Sequence, residues 1–388
     1  MQVATRENVP AKEHFEADAL ESEATTSSRM SSEFRMNLCH PTEHDQYIVE
    51  GFDVSEGFYQ FQLLAQKMAN IPKSLHMESH VYHVLSLSSI FLAIPGHFHN
   101  DLKKFIPNDK LIKIVNDLNT RFSIGQLRVK NDVICRLLDI DLRTHKVDRD
   151  DAVIQLLLLR KQVSKEEYRI IKSFASLIRS LPIEGISNTI LEQELINRFI
   201  APALNPLFDD PEHDNLFRWI AAMNEETKNS STIIVNNERP DASAEAKCHS
   251  QAENKYLLAK DLVRLGIFAK NSIDVNNMKG VLAMQVIGRR VFFYIVILMY
   301  DGMYIMYEIG QLLIPAKLSD LSLYAGQVDT ILDIISVYDN LCTAYNDDDL
   351  PTTLHTRKRK TMSCDDHDHV VSDSRNRKRP SITTRSLQ

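Results

Sequence analysis

Asp241, Glu245 and Lys247 fall within one short stretch, Glu238 to Lys247, and are the residue types that cation-assisted phosphodiester hydrolysis requires. Acidic oxygens hold a divalent ion, and a neighbouring lysine orients the attacking water and offsets charge developing on phosphorus. Pro240 biases the residue before it towards extended geometry, so the stretch opens as a strand or a loop. On a strand, the two-residue period puts Asp241, Glu245 and Lys247 on one face but spaces the two carboxylates by ~13 Å. One ion with ligands at about 2–2.6 Å cannot span that distance. A helical turn would close it to about 5–6 Å.

Pro240-Asp241 followed by Glu245-Ala246-Lys247, in the context of residues 188–315, resembles the motif of the PD-(D/E)XK nuclease superfamily and of uncharacterised fungal proteins related to it. The resemblance implies an α/β (α+β) fold, a restriction-endonuclease-like mixed sheet flanked by helices. It also implies Mg or Mn as cofactor and DNA as the partner. Carried over to this chain, Asp241 and Glu245 are metal ligands and Lys247 is the catalytic lysine. Glu192 or Glu194, on the helix before the sheet, is the further acid reaching the metal. The family places a hairpin between the Asp and the Glu, whereas here only Ala242, Ser243 and Ala244 intervene. The expectation is therefore a weakened or inactive site in a nuclease-like protein that acts on or binds DNA. A catalytically silent nuclear interaction or nucleic-acid-binding protein is the alternative.

The elements that must position these residues follow from periodicity. Thr189 to Phe208 reads as a helix, with Glu192 and Glu194 at its start, where carboxylates complement the helix dipole. Thr232 to Val235 reads as a short strand leading into the motif. A helix over 252–273 turns Leu257, Leu258, Leu262, Leu265 and Phe268 inwards and leaves Lys260, Asp261, Arg264 and Lys270 polar. Lys260 and Arg264, one turn apart, are the phosphate-binding candidates. Strands at 281–287, 291–299 and 304–309 follow, the last two joined by a primed turn at Asp301-Gly302. Gln285 sits on the strand facing the expected active-site edge. A final helix, capped by Ser319, covers 318–345.

Residues 46–181 read as a helical region without a catalytic signature, a scaffold or dimerisation element whose apolar stripes, from Ser55 to Leu181, are expected to pack as a unit onto the nuclease-like domain or a second copy. Ser55 caps a first helix, and Ser74 caps a second that runs through the apolar Leu87 to Ile94. His76, His80 and His83 share one face of that second helix and read as a partly buried packing face. Glu78 occupies the third position of His76-Met-Glu-Ser-His80, which the zinc-protease motif does not allow. Lys110 to Phe122 is a further helix. From Arg149 to Leu181, a helix or helix pair carries Ile154, Leu157, Leu158, Val163 and Phe174 inwards, with Glu166 and Glu167 solvated. Pro182 to Asn188 marks the boundary of a nuclease-like domain spanning 182–346.

Both ends of the chain read as disordered tails, over 1–45 and 347–388, too poor in apolar periodicity to offset conformational entropy. The net charge of −7 opposes indiscriminate coating of DNA and leaves room for a local basic groove. No apolar run reaches the ~20 residues of a spanning helix, and the acidic amino terminus is unlike a secretory signal. Cysteines at 39, 135, 248, 342 and 364 show no pairing pattern and fit a reducing compartment. Arg357, Lys358, Arg359 and Lys360, with Arg375, Arg377, Lys378 and Arg379, form two basic clusters that import receptors could read. The expected location is the nucleus, otherwise the cytoplasm, with no membrane partner.

Overall fold

The computed structural model describes residues 35–36, 38–42, 45–139, 148–186, 190–209, 218–219, 242–247, 251–300, 302–345, 358–361 and 371–372. Asp241, the strand expected at Thr232–Val235, Asp301 of the expected primed turn, Arg357 and the cluster from Arg375 to Arg379 lie outside them, as do most positions of the two expected tails.

Two short paired strands, β1 (Ile48–Val49) and β2 (Phe52–Asp53), lead into α1 (Val54–Ala69). Its cap is Asp53, which accepts from the Glu56 amide at 3.0 Å, while the expected cap, Ser55, is buried and accepts from the Tyr47 amide. β3 (Leu75–His76) and α2 (Val81–Leu87) come next, so Ser74 caps no helix. β4 (Ile90–Ala93) is a strand where helix was expected, entered through Ser89 in the left-handed region at φ 61°. A run apolar on both sides satisfies a doubly covered strand as well as a buried helix, and sheet pairing decides between them.

α3 (Asn108–Arg121), α4 (Asn131–Leu138), α5 (Arg149–Leu157) and α6 (Lys165–Ser180) follow. A capping box starts α6: Ser164 accepts the Glu167 amide at 3.1 Å and Glu167 accepts the Ser164 amide at 2.9 Å. Glu167 is consequently buried rather than solvated, whereas Ile154 and Leu158 of the expected apolar stripe stand exposed. The next helix begins at Glu192 rather than Thr189, as α7 (Glu192–Leu195), a π-helical turn at Ile196–Ile200 and α8 (Ala201–Phe208). Pro202 and Pro206 have no amide to donate to the ladder, which accommodates the wider turn before them.

The remaining elements are β5 (Arg218–Trp219), β6 (Ala242–Lys247), α9 (Lys255–Asn276), β7 (Gly280–Ile287), β8 (Arg290–Met299), β9 (Met303–Leu313), α10 (Leu321–Ala325), α11 (Val328–Leu341) and β10 (Val371–Ser372). The β8–β9 connection is a three-residue loop, because Met299 pairs with Met303, and not the two-residue turn expected at Asp301-Gly302. The final helix is also broken: a 3-10 turn at Leu318–Asp320 precedes α10, and Gly326 and Gln327 separate α10 from α11. Ser319 lies inside the 3-10 turn and caps nothing.

One mixed sheet of six strands, in the order β4-β9-β8-β7-β6-β5, organises the chain. β5, β6 and β7 run parallel to one another, β8 and β9 alternate antiparallel, and β4 is parallel to β9. The two-residue period splits the side chains between two layers. Val281, Ala283, Tyr294, Val296, Tyr304 and Met306 pack with Leu85 of α2 and with Leu262 and Leu265 of α9. Leu282, Met284, Phe293, Ile295, Ile305 and Tyr307 pack on the opposite face with residues of α3, α6, α8 and α11. The fold is thus a mixed sheet between helical layers. Gly266 brings α9 close to the sheet, since a β-carbon there would lie 2.9 Å from Leu85 and 3.1 Å from Met306.

Residues 46–181 do not form a body apart. Their strand β4 completes the sheet beside β9, and Phe91, Phe174, Phe199 and Phe293 share one core. Arg169 of α6 locks the layers together, with Nη1 at 2.7 Å from both carboxylate oxygens of Asp339 and Nε donating to the Leu207 carbonyl at 2.5 Å. Among the described residues, no helix is long and apolar enough to cross a membrane.

Candidate acidic-pair site on strand β6 and helix α9

β6 pairs in parallel with β7, with Glu245 opposite Gln285, and α9 forms the crossover between them. Ala244 and Ala246 point into the layer with α6 and α8. By the strand period, Glu245, Lys247 and Gln285 face the other way, towards α9. Small alanines on the packed face and long polar residues on the helix face make β6 the strand that presents chemistry. The site lies at the carboxyl ends of parallel strands, the part of an α/β sheet where crossover connections leave a crevice.

Asp261, in the second turn of α9, meets this face. Lys247 Nζ stands 3.3 Å from Asp261 Oδ2, and Arg264 Nη1 stands 3.2 Å from Glu245 Oε1. Gln285 donates to the Leu258 carbonyl at 2.7 Å, anchoring the start of α9 to β7 as a structural contact. Glu245 and Asp261 are 5% and 4% exposed, so both carboxyls are effectively out of water. Burial, then the neighbouring Asp261 carboxyl, push Glu245 up to about 8, against the opposing pull of Arg264 and Lys247. Glu245 therefore carries a proton at neutral pH. Its Oε1 and the Oδ2 of Asp261 are buried oxygens without a hydrogen-bond donor in good geometry. Such oxygens suit a hard cation.

The residues expected from the sequence distribute as follows. Glu245 and Lys247 share the site, and Asp241 lies outside the described residues. Glu192 and Glu194 do not join it: Glu194 pairs with Arg198 at 3.2 Å on its own helix, and neither belongs to a three-ligand cluster. Their role is at the start of α7, where carboxylates offset the helix dipole. Arg264 is engaged by a carboxylate rather than standing free for phosphate, although its side chain is 43% exposed. Lys260 is half-buried and makes no ion pair with any described residue. Sequence reasoning missed Asp261, assigned to a solvated face. The available signal was its i, i+3 spacing from Arg264 on a helix that follows the Glu-x-Lys strand.

The first basic cluster, around Lys358, also behaves differently from a free tail. Lys358 donates to the Asp274 carbonyl and to Asn277 at the carboxyl end of α9, where a cation satisfies orphan carbonyls. Lys270, expected on the solvated face, is fully buried and donates to Asp274, Thr361 and the Arg359 carbonyl.

The three histidines expected on one helical face come from three settings: β3 for His76, the residue before α2 for His80, and α2 for His83. His99 and Asp101, from the loop after β4, join His83. Comparison of the chain with protein-family models, with curated proteins and with solved structures finds no match.

Proposed function

We propose that this chain is a nuclease-like protein of PD-(D/E)XK type that acts on nucleic acid, with Glu245 and Asp261 as its acidic pair and Lys247 as its lysine. The observation that carries this reading is the convergence of Glu245 and Lys247 from β6 with Asp261 from α9. Asp261 supplies, from the crossover helix, the second carboxylate that the short spacing after Asp241 cannot bring to the same ion. The two buried carboxyls, Glu245 and Asp261, whose inner oxygens face Arg264 and Lys247 only at ion-pair distance, fit magnesium or manganese. Bound there, such an ion would polarise a phosphoryl oxygen and lower the pKa of its water. Lys247 pairs with Asp261 and would meet a phosphate held beside the two acids. Glu245 would have to give up its proton to hold such an ion, which would link binding to pH. Arg264, partly in solvent, is placed to contact the nucleic-acid backbone once the ion relieves it of Glu245.

Incubation of plasmid with purified full chain tests this. Magnesium- or manganese-dependent nicking that is lost in both Lys247→Ala and Asp261→Asn, with folding retained, supports the assignment. Nicking that survives both variants overturns it. Loss in Asp241→Ala but not in Asp261→Asn would return the second ligand to the motif.

A second reading rests on the pairing itself. Lys247 beside Asp261 and Arg264 beside Glu245 give each buried acid a basic partner from the chain itself, without any ion. This pairing favours a silent protein that binds nucleic acid without cutting. No cleavage by wild type, with binding intact, supports that alternative.

A further inference from the structure

A second cluster, on α2 and the loop after β4, consists of His83, His99 and Asp101, and each offers a ligand atom within 4.8 Å of the others. His83 is 0% exposed. Its ring is enclosed by Phe61 at 4.7 Å, His80 at 5.1 Å and His99 at 4.7 Å between centroids. Among the described residues Nδ1 of the His83 ring has no hydrogen bond, and Nε2 has only the Asp101 carboxylate, 3.3 Å away and out of good hydrogen-bond geometry. A buried polar group left in that state costs about 1–3 kcal/mol, and native interiors rarely leave one unsatisfied.

The nearest polar atom is Asp101 Oδ2, 3.3 Å from His83 Nε2 and 3.6 Å from His99 Nδ1. Metal–ligand bonds of ~2.0–2.1 Å at tetrahedral angles place ligand atoms roughly 3.3 Å apart. The observed separations approach that edge length. Lys104 binds the other oxygen, Oδ1, at 2.5 Å, which turns Oδ2 towards the two rings. His80 lies outside this three-ligand set, its Nδ1 accepting the His76 amide at 3.0 Å, and it serves as a wall. His99 Nδ1 now accepts the Asp101 amide at 3.1 Å, and an ion would take over that lone pair.

We infer that His83, His99 and Asp101 form a zinc site, with water as the fourth ligand. Two imidazoles and one carboxylate are a borderline donor set that favours zinc over magnesium or calcium. The site is separate from the acidic pair, which holds only carboxylate oxygens. Asp101 and His99 are half-exposed and open it to solvent, whereas His83 fixes it to the core.

The test uses the full chain, stripped by chelator and titrated with zinc alone, and with cobalt as a visible reporter. One equivalent per chain with the ligand-field bands of tetrahedral cobalt is expected for wild type and for Glu245→Gln. Asp101→Asn and His99→Gln, both outside the core, should weaken binding by at least ~10-fold while the circular dichroism spectrum is unchanged. Absence of binding by wild type, or undiminished binding in either variant, overturns the site.

Discussion

Lys247 Nζ lies 3.3 Å from Oδ2 of Asp261, an ion pair between the last residue of β6 and the second turn of α9. Lys247 closes the Glu245-Ala246-Lys247 sequence, and Asp261 is an acid that periodicity had turned to solvent. Removing one partner strands the other, since Asp261 is 4% exposed. Lys247→Met is expected to destabilise the chain by about 1–3 kcal/mol. The double variant Lys247→Met/Asp261→Leu should cost less than the sum of the singles. Urea denaturation midpoints read both, and strict additivity would show that the pair is not coupled.

Glu245 sets a pH dependence with a definite sign. Its ordinary value is 4.5 and its folded value about 8, raised first by burial. The folded state thus binds the proton more tightly than the unfolded chain. The resulting stability is fully present below 4.5 and is lost as pH rises through about 8. Without added metal, thermal midpoints should fall between pH 6 and 9, and Glu245→Gln, which mimics the protonated form, should flatten the slope. An equal slope in wild type and variant would remove Glu245 as the group responsible.

The shared sheet makes the amino-terminal region indispensable. A chain beginning at Pro182 lacks β4, exposing the edge of β9, and lacks Arg169, whose bonds to Asp339 and Leu207 tie α6 to α11 and α8. It is expected to aggregate or lose cooperative unfolding. Arg169→Ala in the full chain should cost about 1–3 kcal/mol, discounted because Asp339 is partly hydrated. A soluble, cooperatively folded 182–388 fragment would refute this.

Lys358 and Lys270 tie the segment around residues 358–361 to α9. Deleting 351–388 removes both basic clusters and takes the Arg359 carbonyl and Thr361 from the buried Lys270, leaving it Asp274 and the Tyr304 ring at 4.6 Å. A fluorescent fusion so truncated should be excluded from nuclei and unfold at a lower denaturant concentration. Unchanged nuclear accumulation would remove the import role, and an unchanged midpoint would show that the docked segment carries no stability.

Sequence alone determined the elements with a strong local signal. The long helix α9 and the three consecutive strands β7, β8 and β9 were legible because each is a run with one dominant period. For residues 241–247 the sequence left strand, loop and helical turn open, and Glu245 and Lys247 share a face because the stretch pairs with β7 as a strand. Local pattern could not place Ile90 to Ala93, which is apolar on both sides and became a strand only through pairing with β9. It could not assign Asp261 or Lys270 either, since a polar residue on a mostly apolar helix reads as solvated unless a partner covers it. Those partners, Lys247 and the segment around Arg359 and Thr361, arrive from other elements. His83, His99 and Asp101 met for the same reason: the turn after β4 brings the loop back onto α2, and that return is a property of the packed chain.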